Sequence, residues 1–177
     1  GRRIYDNIKK FTKYMLSVNL SGIILITFSI IMSAIYGAHW ILPLLPLQIL
    51  WVNLVTDSLP AITLVFEKEE NVMRSKPRSE KSLLKGIGKF ILIAGLITVL
   101  AKITAYVYGV RAGLSPEHIR TLVLTTVVLF ELFFVYTIRS KKPLHEIGIL
   151  SNKWLNYAVL VSLAMHLILI YSPLSSV

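Results

Sequence analysis

Five stretches of this chain are long and apolar enough to cross a lipid bilayer, which leaves it very few ways to fold. A spanning helix needs about 20 mainly apolar residues. The runs from about Tyr14 to Tyr36, Leu44 to Phe66, Ile87 to Tyr108, Ile119 to Ile138 and Trp154 to Tyr171 approach that length. The predicted fold class is all-α, a polytopic transmembrane helix bundle forming a single domain over residues 1–177. Composition points the same way. With 55% hydrophobic and 16% charged residues and a mean hydropathy of +0.69, the chain is too apolar for an ordinary soluble domain.

Breaker residues mark the connections. Gly37 with Pro43 and Pro46 makes the first one tight. Between the second and third spans lies a polar loop, Glu67 to Lys85, whose R-S-K-P-R-S-E-K run is a surface segment. Ser115-Pro116-Glu117 opens the fourth helix with an N-cap, a proline at the first helical position and an acid in the first turn. The opening residues Gly1 to Lys13 are basic and amphipathic and run straight into an apolar span. With no initiator Met and no signal-peptide pattern, the chain is expected to be part of something longer.

The formal net charge of +10 raises the question of nucleic acid. The basic residues fall in short runs between apolar segments, however, with no aromatic-interleaved stripe or nucleic-acid motif, so no nucleic-acid partner is expected. Membrane topology accounts for the charge. Arg2, Arg3, Lys9, Lys10 and Lys13 precede the first span, a second group lies between Lys68 and Lys89, and Arg139, Lys141, Lys142 and Lys153 flank the fourth loop. The opposite side carries only Arg111 and Arg120. The positive-inside rule then predicts a cytoplasmic N-terminus and basic loops, and five spans put the C-terminus on the external or lumenal side. The absence of cysteine removes disulfides and thiolate metal sites from consideration.

The chemistry narrows to polar residues inside the spans. Q-I-L-W-V-N-L-V-T-D-S-L-P-A, from Gln48 to Ala61, holds an amide, a hydroxyl and a carboxylate in a membrane-grade segment. A charged side chain at the bilayer centre costs at least about 2.5 kcal/mol, so such groups face a cavity, a partner or an ion. Asn53 and Asp57 are four apart on a helix and share a face, and Thr56 sits beside Asp57. Pro60 cannot donate to the carbonyl of Thr56, which predicts an interruption of the second span near Thr56-Asp57 that frees carbonyl oxygens beside the carboxylate. Oxygen-only ligation suits a hard cation such as calcium. The competing reading is an Asn/Asp pair that merely bonds between helices.

Other polar residues carry weaker signals. Glu131, in L-F-E-L-F-F of the fourth span, is the other intramembrane acid, and reads as a ligand, a proton carrier or a protonated packing residue. Asn19 and Ser21 can add oxygens or simply bond between helices. Lys102 and His166 are not expected to be ligands, since a lysine can snorkel and a lone histidine is usually a packing group. Tyr14, Tyr36, Trp40, Trp51, Tyr106, Tyr108, Trp154 and Tyr171 lie mostly near span ends and are expected to anchor the bundle as an aromatic belt.

Three segments carry a family resemblance. G-R-R-I-Y-D-N-I-K-K-F at the start, Q-I-L-W-V-N-L-V-T-D-S-L-P-A, and E-K-E-E-N-V-M-R-S-K-P-R ending at Arg78 resemble the membrane half of type II P-type cation-transporting ATPases, nearest to the calcium pumps. The resemblance covers essentially the whole chain. It implies that the five spans correspond to the fifth through ninth helices of a ten-helix pump and that the opening residues form the stalk toward the phosphorylation domain. The first four helices, the tenth helix and the cytoplasmic domains would then be partners outside this chain, along with the lipid bilayer. ATP and magnesium would be bound by those domains, since the D-K-T-G phosphorylation motif occurs nowhere here. The resemblance further assigns ion-binding roles to Asn53, Thr56 and Asp57, to Asn19, and to Glu131.

One departure matters. Two-site calcium pumps place a glutamate three residues after the asparagine of the fifth helix, where this chain has Gly22 in N-L-S-G. The resemblance then shifts toward one-calcium secretory-pathway pumps, which also carry manganese, with a single site joining Asn53 and Asp57 to a fourth-helix glutamate. The expected function is thus the membrane part of an ATP-driven pump exporting calcium from the cytoplasm by alternating access. A pump of the same family for manganese, sodium or protons is the alternative, because all of these use oxygen ligands. An ion-gradient-driven secondary transporter would show a second interrupted helix in a matching repeat, and no repeat of N-L-V-T-D occurs. A regulatory or scaffold protein would need no intramembrane acids.

Overall fold

The computed structural model describes residues 2–66, 87–140 and 144–172. The expected surface loop from Glu67 to Lys85 lies outside them, as do Lys141 and Lys142. Among the described residues the chain is helical, with five helices long and apolar enough to cross a membrane.

Helix α1 (Arg2–Tyr36) is continuous over 35 residues, so it begins in the basic segment well before the apolar run. At 1.5 Å per residue it extends about 50 Å, well beyond a hydrocarbon core of about 30 Å. Gly37, at φ 95°, ends it. The second span is built from three pieces: α2 (Pro46–Trp51), a π-helical segment (Val52–Asp57) and α3 (Ser58–Val65). Pro46 sits at the start of α2, and the Gln48 side chain folds back to accept from the Leu45 N–H at 2.9 Å. The interruption expected near Thr56-Asp57 is therefore real, and takes the form of a widened turn rather than unwound backbone. Pro60 cannot donate to the preceding turn, and nearby hydroxyls partner the carbonyls of that stretch. Thr56 Oγ1 donates to Val52 O at 2.9 Å, Ser58 Oγ to Asn53 O at 2.6 Å, and Ser162 Oγ reaches Val55 O at 3.4 Å.

Helix α4 (Gly88–Arg111) ends in a Schellman arrangement: Gly113 N–H donates to Val110 O and Leu114 N–H to Gly109 O, both at 3.1 Å. Gly113, at φ 67°, supplies the left-handed residue that this motif requires. Two residues later Ser115 caps α5 (Pro116–Ile138), accepting from the His118 N–H, so the predicted boundary stands. The short helix α6 (Leu144–Ile147) and a 3-10 turn (Ile149–Ser151) lead to α7 (Lys153–Tyr171), capped by Asn152. Buried Arg139 joins the end of α5 to this connection through Ile149 O and the Ser151 hydroxyl.

Helix α1 packs most extensively on α4, which in turn packs on α5. A Cβ at Gly95 would lie 3.1 Å from Leu20 Cδ2 and 3.4 Å from Ser17 O; close approach at small residues is how membrane helices gain packing contacts. The buried apolar residues form two clusters. One gathers Leu25, Val52, Val99, Val123 and Leu132; the other gathers Tyr14, Val18, Ala61, Leu64, Val135 and Leu155. In chain order Ser21 on α1 and Thr56 and Asp57 in the second span fall between the two clusters, and Glu131 on α5 lies at the end of the first, one turn before Val135 of the second. Large side chains such as Leu54, Leu100, Phe133 and Leu160 are exposed on the outside, as the lipid-facing surface of a bundle would be.

Candidate cation site

The seam between the apolar clusters is a buried polar layer. Asp57 is 1% exposed and Glu131 2%, and the two carboxyl groups are close enough to interact. Glu131 reaches the layer because α5 crosses the π-helical segment. Tyr14 enters from α1, its hydroxyl donating to Asp57 Oδ1 at 3.0 Å and lying 3.4 Å from Glu131 O. Lys102 enters from α4. Its Nζ lies 2.5 Å from Glu131 Oε1 and donates to Ser21 Oγ at 2.7 Å, while Ser21 donates back to Val18 O. Glu131 Oε2 is buried with no hydrogen-bond partner among the described residues.

Beside this layer is a cavity of about 490 Å³ whose wall includes Asn19, Gly22, Asn53, Lys102 and Glu131. Asn19 is exposed at its rim and Asn53 half-buried. A Cβ at Gly22 would meet nothing within 4 Å, so the glycine leaves open space rather than accommodating a neighbour. Thr56 and Asp57 are not part of the cavity wall. They are buried behind it, Thr56 with its hydroxyl on Val52 O and Asp57 held by Tyr14. Thus Asn19, Asn53 and Glu131 share one cavity, and Asp57 joins them through its proximity to Glu131. Among the described residues no group of three or more His, Asp or Glu gathers, so any hard cation here must draw on amide, hydroxyl and carbonyl oxygens beside the two carboxylates.

Several expectations from the sequence need correction. Tyr14 and Tyr106 are not belt anchors: both are 0% exposed, Tyr14 serving Asp57 and Tyr106 donating to Ile41 O at 2.6 Å. A buried phenol must find a partner for its hydroxyl, and both partners lie far away in the chain. Tyr36, Tyr108, Trp154 and Tyr171 are exposed near helix ends, as an anchor would be. Lys102 does not snorkel; it is 1% exposed and turned inward to Glu131. His166 is a packing group, with Nε2 3.3 Å from Thr125 Oγ1. A signal for Tyr14 was present in the spacing. Tyr14, Val18, Ser21 and Leu25 recur at helical intervals, and all four are buried. No comparable signal singled out Lys102, because its partner is on another helix.

The match to known proteins is consistent with this geometry. The family model for the C-terminus of cation-transporting ATPases matches residues 41–177. A calcium-transporting ATPase of Bacillus subtilis is 35% identical over 98% of this chain. A calcium-transporting ATPase 1 of Lactococcus lactis is 36% identical over 94% of the chain, and the human calcium-transporting ATPase type 2C member 1 is 33% identical over 98%. The chain spans about a fifth of the length of these relatives, 19%, 18% and 19% respectively.

Proposed function

The chain belongs to the P-type cation-transporting ATPases, as their C-terminal membrane part, and from that premise we propose that it supplies the ion ligands of a pump exporting calcium from the cytoplasm. The observation that carries this reading is the pairing of two buried carboxyl groups, Asp57 and Glu131, inside a bundle of membrane-crossing helices and next to a cavity whose wall includes Asn19 and Asn53. Such groups are costly in a bilayer unless an ion, a proton or a partner engages them. The calcium named in the relatives, and the hard-oxygen character of Asn53, Thr56, Asp57, Asn19 and Glu131, both favour a hard divalent cation.

In this mechanism Asn53, Thr56 and Asp57 hold the ion from the widened turn of the second span, with Asn19 contributing from α1 and further ligands arriving from helices outside this chain. Domains outside it would bind ATP and magnesium and carry the phosphorylation. Movement of α1, which enters the cytoplasm as a stalk, would be felt at Asp57 through Tyr14, and at the far end of the second span through buried Asn7, whose side chain donates to Val65 O at 2.9 Å. Tilting the second span then alters the affinity and exposure of the site. The open space at Gly22 supports one ion per cycle, since no carboxylate takes the place of the glutamate that two-site pumps have there. The same oxygen set accepts manganese, which makes a calcium and manganese pump the second reading.

Asp57→Asn in the complete pump is expected to abolish calcium-dependent phosphorylation by ATP. Phosphorylation that keeps its wild-type dependence at unchanged calcium concentration would remove Asp57 from the site.

A further inference from the structure

Lys102 sits in the middle of α4, far from either end of its helix, and is almost wholly buried. An ammonium in that position requires anionic or polar partners. It finds them on two other helices, with Nζ 2.5 Å from Glu131 Oε1 on α5 and 2.7 Å from Ser21 Oγ on α1. Because the Ser21 hydroxyl donates to Val18 O at 2.7 Å, its oxygen is turned to accept from the lysine. The ammonium is therefore held by two other helices, at the wall of the same cavity that Asn19, Gly22 and Asn53 line.

The charge of the layer makes this arrangement informative. With both acids ionised, as binding a cation requires, two carboxylates and one ammonium leave a single net negative charge. One divalent cation beside Asp57 is compatible with that charge, whereas a second would have to enter where the lysine has already neutralised Glu131 and where Gly22 brings no carboxylate. We infer that Lys102 is a resident cation: its ammonium takes the position at Glu131 that a second metal ion would need, and so limits the site to one divalent cation, at the Asp57 end. Glu131 is then the counter-charge of Lys102 and acts on the metal only through it. This inference rests on the pump reading above and adds a residue that sets how many ions are bound.

The test is a charge cycle in the complete pump, reading the calcium concentration that gives half-maximal phosphoenzyme, together with the number of calcium ions bound per phosphorylatable site. Glu131→Gln strands the ammonium beside Asp57 and is expected to raise the calcium requirement by about ten-fold or more, a factor equivalent to 1.4 kcal/mol or more. Lys102→Met combined with Glu131→Gln removes both charges and is expected to regain most of that loss. The wild type is expected to bind one calcium ion. A double variant as weak as Glu131→Gln alone would make Glu131 a direct ligand and overturn the role of Lys102, as would two ions bound by the wild type, a measurement that needs no variant to fold. A wild type whose phosphorylation ignores calcium would instead overturn the pump reading itself.

Discussion

At the scale of single residues, the site depends on side chains whose partners are distant in the chain. Tyr14 is the clearest case, because its hydroxyl is the described donor to Asp57 Oδ1 and comes from 43 positions away. Tyr14→Phe keeps the ring and its stacking on Phe134 but leaves a buried carboxyl oxygen without that donor. A loss of about 1–3 kcal/mol in stability is expected, seen as a lower Tm of the detergent-solubilised pump. Ser17, one turn further along α1, is an internal contrast. Its hydroxyl is buried with no hydrogen-bond partner among the described residues, so Ser17→Ala removes a group that returns nothing for its desolvation. Its Tm is expected to equal or exceed that of the wild type, and a drop matching that of Tyr14→Phe would refute this account of the layer. The composition of Gln48 to Ala61 exposed the expensive acid but not the phenol that serves it; the helical spacing of Tyr14 with Val18, Ser21 and Leu25 marks a shared face without naming what that face meets.

At the scale of elements, the second span trades regularity for a widened turn beside its buried carboxyl group. Pro60 has no N–H to give the preceding turn, and its ring crowds the carbonyl four residues back, at Thr56. The backbone answers with the π-helical segment Val52–Asp57, stabilised by hydroxyls from Thr56 and Ser58 and from Ser162 on α7. Such widened turns recur at functional sites. Pro60→Ala restores the missing donor and lets the segment relax toward an α-helix, rotating Asn53 relative to Asp57. The expected result is a higher Tm with a raised calcium requirement for phosphorylation, a stability gain at the expense of activity; both measured on the same preparation check it. The contact between the start of α1 and the end of the second span is a second element-scale device. Asn7→Ala leaves Val65 O without its side-chain donor at 2.9 Å, and is expected to cost about 1–3 kcal/mol in stability. The proline alone announced that the second span was interrupted. Which way the interruption resolved depended on α7, because Ser162 partners Val55 O.

At the scale of the whole molecule, the five membrane-crossing helices put their unpaired apolar surface outward and their acids inward. The distribution of basic residues predicts which ends face the cytoplasm. Because this chain has no cysteine, single cysteines report that directly in a background lacking others. A cysteine at Glu146, exposed between α5 and α7, is expected to react with an impermeant thiol reagent from the cytoplasmic side, and one at Arg111, exposed at the end of α4, from the opposite side; labelling of both from one side would overturn the topology. Helix number, the cap at Ser115 and the break before Pro60 were all legible in residue order, because hydropathy, capping and the missing proline donor act over a few neighbouring residues. The loop from Glu67 to Lys85 was legible only as composition. The pairing of Lys102 with Glu131, the burial of Tyr14 and the cavity that Gly22 opens were decided by which helix faces meet across the bundle. Each side chain there has several polar partners it could satisfy, and only the packing of α1 on α4 and of α5 on the widened second span selects among them. The chain order thus carries the acid that must be explained, while the tertiary structure supplies the ammonium and the phenol that surround it.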